Sequence, residues 1–131
     1  MSATVSVEFL KCFVDSRGIL FEPIEAVDMA EQRNAHVVIT TPGQVRGNHR
    51  HPRGREVCVV MGPALVRTKD GEGTRDFTVE SGVVARFIFP PGAAHAIQNT
   101  GSFPQTLVSF NNLPRDPDHP DVEREVLIPS A

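Results

Sequence analysis

The chain has 131 residues, 13 Lys+Arg against 16 Asp+Glu, and a formal net charge of -3. That balance offers no basic face for nucleic acid, which needs cations to offset its phosphates, and no apolar run approaches the ~18 residues of a membrane span. With 11 Pro and 10 Gly, the composition predicts one domain over residues 1–131, made of short strands and tight turns around a single core.

In chain order, alternating or β-branched runs predict strands at Val5–Phe13 and Ile19–Ile24, around a turn at Asp15-Ser16-Arg17-Gly18. Val27–Asn34 has helical composition and room for one or two turns. Strands follow at His36–Thr40, Glu56–Met61, Ala64–Thr68, Arg75–Val79, Val84–Phe89, Ala94–Gln98 and Thr106–Asn111. Asp70-Gly71 marks a hairpin, and Ser81-Gly82 and Asn99-Thr100-Gly101 mark further turns. The segment from Leu113 to Asp121 holds three prolines and is expected to cross the surface irregularly before a last strand, Glu123–Ile128. So many short strands with almost no helix imply an antiparallel sandwich or closed barrel. Cys12 and Cys58 lie in apolar strand contexts and read as buried thiols, not a disulfide, and no basic leader precedes an apolar stretch, so the expected location is cytoplasmic.

The chemistry concentrates in two blocks. The first is Gly43-Gln44-Val45-Arg46-Gly47-Asn48-His49-Arg50-His51, with Glu56 beyond it; the second runs from Pro90 through His95 to Asn99. His49 and His51 stand two apart, so on an extended strand both side chains leave the same face. Imidazoles and a carboxylate are ligands for a divalent first-row ion, so His49, His51, Glu56 and His95 form a candidate metal set built on a sheet. Of the cations, 11 are Arg and only 2 are Lys, a bias that genome composition alone can produce. Arg17, Arg46, Arg50, Arg53 and Arg55 lie near the motifs, where planar guanidinium groups favour phosphate or carboxylate. His36 reads as a surface or satisfied core histidine, His119 as solvated, Asn99 as a backbone-bonding corner residue, and Phe87, Phe89 and Phe110 as core.

The pattern G-x5-H-x-H-x4-E followed by P-x-G-x2-H-x3-N resembles the two motifs of the cupin superfamily over roughly residues 35–112, with residues 113–131 as an irregular tail. The resemblance implies an all-β double-stranded β-helix, a jelly-roll barrel, with the histidines and glutamate converging in its lumen. One spacing departs: five residues, not the usual six, separate Glu56 from Gly62. A deletion within the strand would turn Glu56 outward and bring Arg55 in, whereas a deletion within the turn leaves Glu56 inside.

Further segments resemble sugar-nucleotide epimerases and 3,4-ketoisomerases. Asp15-Ser16-Arg17-Gly18-Ile19-Leu20-Phe21-Glu22 is similar to their D-x-R-G-x3-E segment, and Arg46-Gly47-Asn48-His49-Arg50-His51 to their R-G-x-H-x-H element. Asp116-Pro117-Asp118-His119-Pro120-Asp121 is similar to the D-P-x-x-P-D ending of the C-terminal cupin domain in capsular-polysaccharide enzymes. The resemblance assigns substrate binding to Arg17, Glu22 and Arg46, and proton abstraction to His49 with His51. The expected activity is epimerisation or isomerisation of a nucleotide-linked 4-keto-6-deoxy sugar by a homodimer, aided by zinc or another first-row ion and no organic cofactor.

Two tensions accompany this expectation. A ring nitrogen that coordinates an ion cannot also abstract a proton, so either the four residues hold metal and another group moves the proton, or the site is metal-free and His49 and His51 act as base and acid. The chain also has no tyrosine, the general acid of the 3,5-epimerases, which disfavours double epimerisation. The alternatives are a metal-dependent cupin dioxygenase and a non-catalytic sugar- or metabolite-binding cupin.

Overall fold

The computed structural model of the protein describes residues 3–130. Its strands are β1 (Ser6–Phe9), β2 (Phe13–Asp15), β3 (Gly18–Leu20), β4 (Asn34–Thr40), β5 (Val45–Arg50), β6 (Glu56–Met61), β7 (Ala64–Asp70), β8 (Gly73–Val79), β9 (Val84–Phe89), β10 (Ala94–Asn99), β11 (Gln105–Asn111) and β12 (Glu123–Arg124). One helical turn, α1 (Ala26–Met29), precedes β4. Five strands form one antiparallel sheet in the order β1-β9-β6-β11-β4, and five form a second in the order β12-β5-β10-β7-β8. The β2–β3 hairpin stands apart as its own two-stranded sheet. This is the double-stranded β-helix of the cupins. No helix among the described residues is long and apolar enough to cross a membrane.

Period-two patterning explains how the sheets face each other. Along β7, Ala64, Val66 and Thr68 are buried while Leu65 and Arg67 are less so. Along β4, Val38 packs on the core and Thr40 is buried, whereas Val37 and Ile39 are 64% and 61% exposed. The core between the sheets takes Cys58 and Val60 from β6, Phe87 and Phe89 from β9 and Ile97 from β10. β6 is buried on both faces because Val57, on its outer side, packs with Ile24 and Phe110. That double burial accounts for its continuous apolar run, where alternation would mark a half-exposed strand.

Several boundaries differ from the sequence expectation. The run Val5–Phe13 is not one strand: β1 ends at Phe9, and Phe13 already belongs to the hairpin. β3 stops at Leu20, ahead of Pro23, and the last strand covers only Glu123–Arg124. β5 was not among the predicted strands, because Arg46, Gly47, Asn48, His49 and Arg50 carry no apolar alternation. Cys58 is free and buried as expected, while free Cys12 is only partly so.

Candidate active site

β5 and β10 lie side by side, with His49 opposite His95, and one step further Gly47 is opposite Ala96. Asn48 is thus an extra residue, a β-bulge, with φ of 56°. Asparagine tolerates this left-handed region better than most residues. Gly47, at φ 87°, is required twice over, since a Cβ there would sit 2.7 Å from the His95 carbonyl oxygen. The bulge has a direct consequence for the site. Arg46 and His49 are three apart and would point to opposite faces of a regular strand. Here Arg46 aligns with Ile97 and His49 with His95, so both lie on the lumen side.

Asn48 also holds the end of the chain. Its Oδ1 accepts from the Leu127 and Ile128 N–H groups at 2.8 and 3.1 Å, and its Nδ2 donates to the Ile128 carbonyl at 2.9 Å. The Asp121 carboxylate accepts from the backbone N–H groups of Arg53 and Gly54, and the Asp121 carbonyl lies 2.7 Å from His51 Nδ1. The tail is therefore a strap across β5 and the residues just after it, which carry His49 and His51.

Glu56 begins β6 and faces inward, 5% exposed. β6 pairs with β9 without interruption from Glu56 to Met61, so the shortened spacing falls at Gly62-Pro63, in the turn, not within the strand. Arg55 points elsewhere, its guanidinium 3.7 Å from Asp28. The Ser109 hydroxyl donates to one Glu56 oxygen at 2.9 Å, and His51 Nε2 is 2.7 Å from the other.

The ligand atoms of His49, His51, Glu56 and His95 all lie within 4.8 Å of one another. Ring centroids of His49 are 4.9 Å from His51 and 4.8 Å from His95. His95 stacks on Phe89 at 3.9 Å with planes 3° apart, and its Nδ1 is 3.3 Å from the Ala93 carbonyl, which turns Nε2 toward Glu56. Burial, with neighbouring His95 and His51, lowers the His49 pKa from 6.5 to about 4. Burial likewise lowers that of His95. For Glu56, burial works upward, but the His51 hydrogen bond and the charges of His95 and His51 outweigh it and hold the carboxyl at about 2. For His51, burial works downward and is outweighed by the hydrogen bond and charge of Glu56, so its pKa rises.

These protonation states fit a divalent ion. His49 and His95 present neutral imidazoles, Glu56 is anionic, and only the proton shared between His51 and Glu56 has to leave on binding. The Asp121 and Ala93 carbonyls fix the outer nitrogens of His51 and His95, as ligating imidazoles commonly require.

A cavity of about 770 Å³ opens over the cluster, lined also by His36, Arg46, Ser109 and Arg115. A second, of about 490 Å³, lies under the tail and shares His51, Arg115, Asn34 and Val122 with the first. Arg50 pairs with Glu123 and Glu125, and Arg53 with Asp121. Among the described residues Arg46 and Arg115 line the main cavity with no acidic partner, so an anion there would meet two uncommitted guanidinium groups. Arg17 is on the β2–β3 turn, 2.6 Å from Asp15 and largely exposed, and neither it nor Glu22 lines the cavity. His119 is exposed, 3.2 Å from Asp116, and Asn99 bonds the backbone at Thr40, Phe103 and Gly101, both as expected. Arg115 and His36 were not foreseen as site residues. Their signal lies in tail path and strand pairing, which local sequence does not carry.

A family model described as the polysaccharide biosynthesis C-terminal domain matches residues 13–123. No curated protein sequence matches the chain. Among solved structures, the capsular polysaccharide assembling protein CapF from Staphylococcus aureus is similar at TM-score 0.67 and 26% identity, over 90% of this chain and 33% of that one. The chain therefore spans about a third of CapF. ChmJ, a 3'-monoepimerase from Streptomyces bikiniensis in complex with dTDP-quinovose, is similar at TM-score 0.74 and 15% identity, over 92% of this chain and 68% of that one. QdtA, a sugar 3,4-ketoisomerase from Thermoanaerobacterium thermosaccharolyticum in complex with TDP, is similar at TM-score 0.71 and 15% identity, over 92% and 88%. At that identity, ChmJ and QdtA show a shared fold.

Proposed function

The chain belongs to the polysaccharide biosynthesis C-terminal domain family, and from that premise we propose that it epimerises or isomerises a nucleotide-linked 4-keto-6-deoxy sugar. The observation that carries this reading is one cavity that joins the His49, His51, Glu56 and His95 cluster to the unpaired Arg46 and Arg115. Two guanidinium groups suit a diphosphate, and the cluster suits carbonyl chemistry. The ChmJ and QdtA structures are complexes with dTDP-quinovose and TDP, which supports a nucleotide-sugar substrate here.

A hydrogen beside a ketone is acidic only because the resulting enolate places its charge on oxygen. Catalysis needs a base for the proton and a positive centre for that oxygen. A divalent ion held by His49, His51, Glu56 and His95 would supply that centre. Arg46 and Arg115 would bind the diphosphate and so set how deeply the sugar enters. Ser109 keeps Glu56 oriented. Chemistry of this kind needs no organic cofactor. Lack of tyrosine, the acid of double epimerisation, favours a single-site epimerisation or a 3,4-ketoisomerisation.

The test is solvent exchange: purified protein with zinc, in heavy water, with dTDP- and UDP-linked 4-keto-6-deoxyglucose. Deuterium is expected at carbon 3 of one of these sugars. No incorporation into either overturns the proposal. We further read the protein as cytoplasmic and as a homodimer, and the exposed apolar side chains of Phe9, Phe13, Leu20, Val37 and Ile39 support the dimer.

A further inference from the structure

We propose that His36 is the catalytic residue that carries the substrate proton, an assignment that rests on the enolisation reading above and adds to it the base that the reading lacks. If His49, His51 and His95 each give one ring nitrogen to a metal, the cluster is short of a base. The outer nitrogens of His51 and His95 are already held by the Asp121 and Ala93 carbonyls. His36 is the remaining imidazole of the cavity.

Its placement follows from β4. Val38 packs on the core and Thr40 is buried, while Val37 and Ile39 are exposed outward, so His36 shares the inner face by period two. The register agrees: His36 pairs with Ser109, whose hydroxyl points inward to Glu56. His36 lines the same cavity as His49, yet it lies outside the four-residue ligand set. It is exposed while lining the cavity, and no hydrogen bond within the protein engages its ring among the described residues. An imidazole free at both nitrogens and open to a bound ligand can accept a proton and return it.

The step balances as follows. The C–H bond beside the ketone breaks, its electron pair becomes the enolate double bond, and the carbonyl π pair moves onto oxygen. The proton passes to the His36 ring, forming an imidazolium. Delivery of a proton from solvent to the opposite face of the same carbon inverts it, and return of the proton from His36 to the neighbouring carbon, after the enediol shifts its hydroxyl proton, moves the ketone; either restores a carbonyl.

The experiment compares zinc-loaded wild type, His36→Asn and His36→Ala for deuterium wash-in from heavy water into dTDP- and UDP-linked 4-keto-6-deoxyglucose, with zinc content measured in parallel. Expected are a loss of exchange of about 100-fold or more, unchanged zinc, and recovery of His36→Ala by added free imidazole. A merely structural role would not yield to imidazole. Exchange at the wild-type rate in both variants overturns the assignment, as does loss accompanied by loss of zinc or untouched by imidazole. Failure of the wild type to exchange overturns the enolisation reading itself, and this assignment with it.

Discussion

Glu56 shows how much one side chain can organise. Its carboxylate receives Ser109 and His51 and stays ionised despite burial. Glu56→Gln keeps the shape and removes the charge, so zinc affinity should fall by about 100-fold or more, since loss of an orienting partner alone typically costs 10–100-fold; competition against a chromophoric chelator reads this. Metal-free protein should also lose stability as pH falls. His49 takes up a proton at 6.5 when unfolded but only at about 4 when folded, so the unfolded state binds more protons between those values and gains on the folded state. The downward shift of His95 acts in the same sense, and the upward shift of His51 opposes it. Thermal melts in chelator should fall through that window, and His49→Gln should flatten the slope. At this scale the sequence was informative: the His49–His51 spacing together with the cupin resemblance pointed to the cluster. The direction of Glu56 stayed open because it depends on where a missing residue is absorbed, which the β6–β9 register decides.

At the scale of elements, the bulge in β5 decides what the strand can present. Gly47→Ala would force a Cβ against the His95 carbonyl at a backbone angle that disfavours side chains. It should cost more than about 1 kcal/mol and weaken zinc binding as His49 shifts, both measurable by denaturant titration with and without metal. The strands β6 and β9 were legible to the residue, since apolar content decides them. β5 was not, because its inward side chains serve the site instead of the core, and hydrophobic periodicity is silent there. A glycine beside an asparagine within the histidine block was the one local sign of a bulge.

Across the whole molecule, an antiparallel sandwich or barrel was legible from the rhythm of short strands and turns, and the cupin resemblance narrowed it to the jelly roll, while the pairing order was not legible. β1 lies beside β9 and β4 beside β11, contacts between distant segments that no local pattern encodes. The same limit hid His36 and Arg115, which reach the cavity only through those long-range arrangements. Apolar side chains left outside the core should drive self-association: sedimentation equilibrium should give a dimer mass, and Val37→Glu with Ile39→Glu should shift it toward monomer. The carboxy-terminal strap has its own consequence. It holds the Asn48 side chain next to His49 and the His51 ring itself, so whatever tightens those imidazoles also tightens the segment around Leu127 and Ile128. Chelation would then be legible from afar: amide protons near Leu127 and Ile128 should exchange more slowly once zinc is bound.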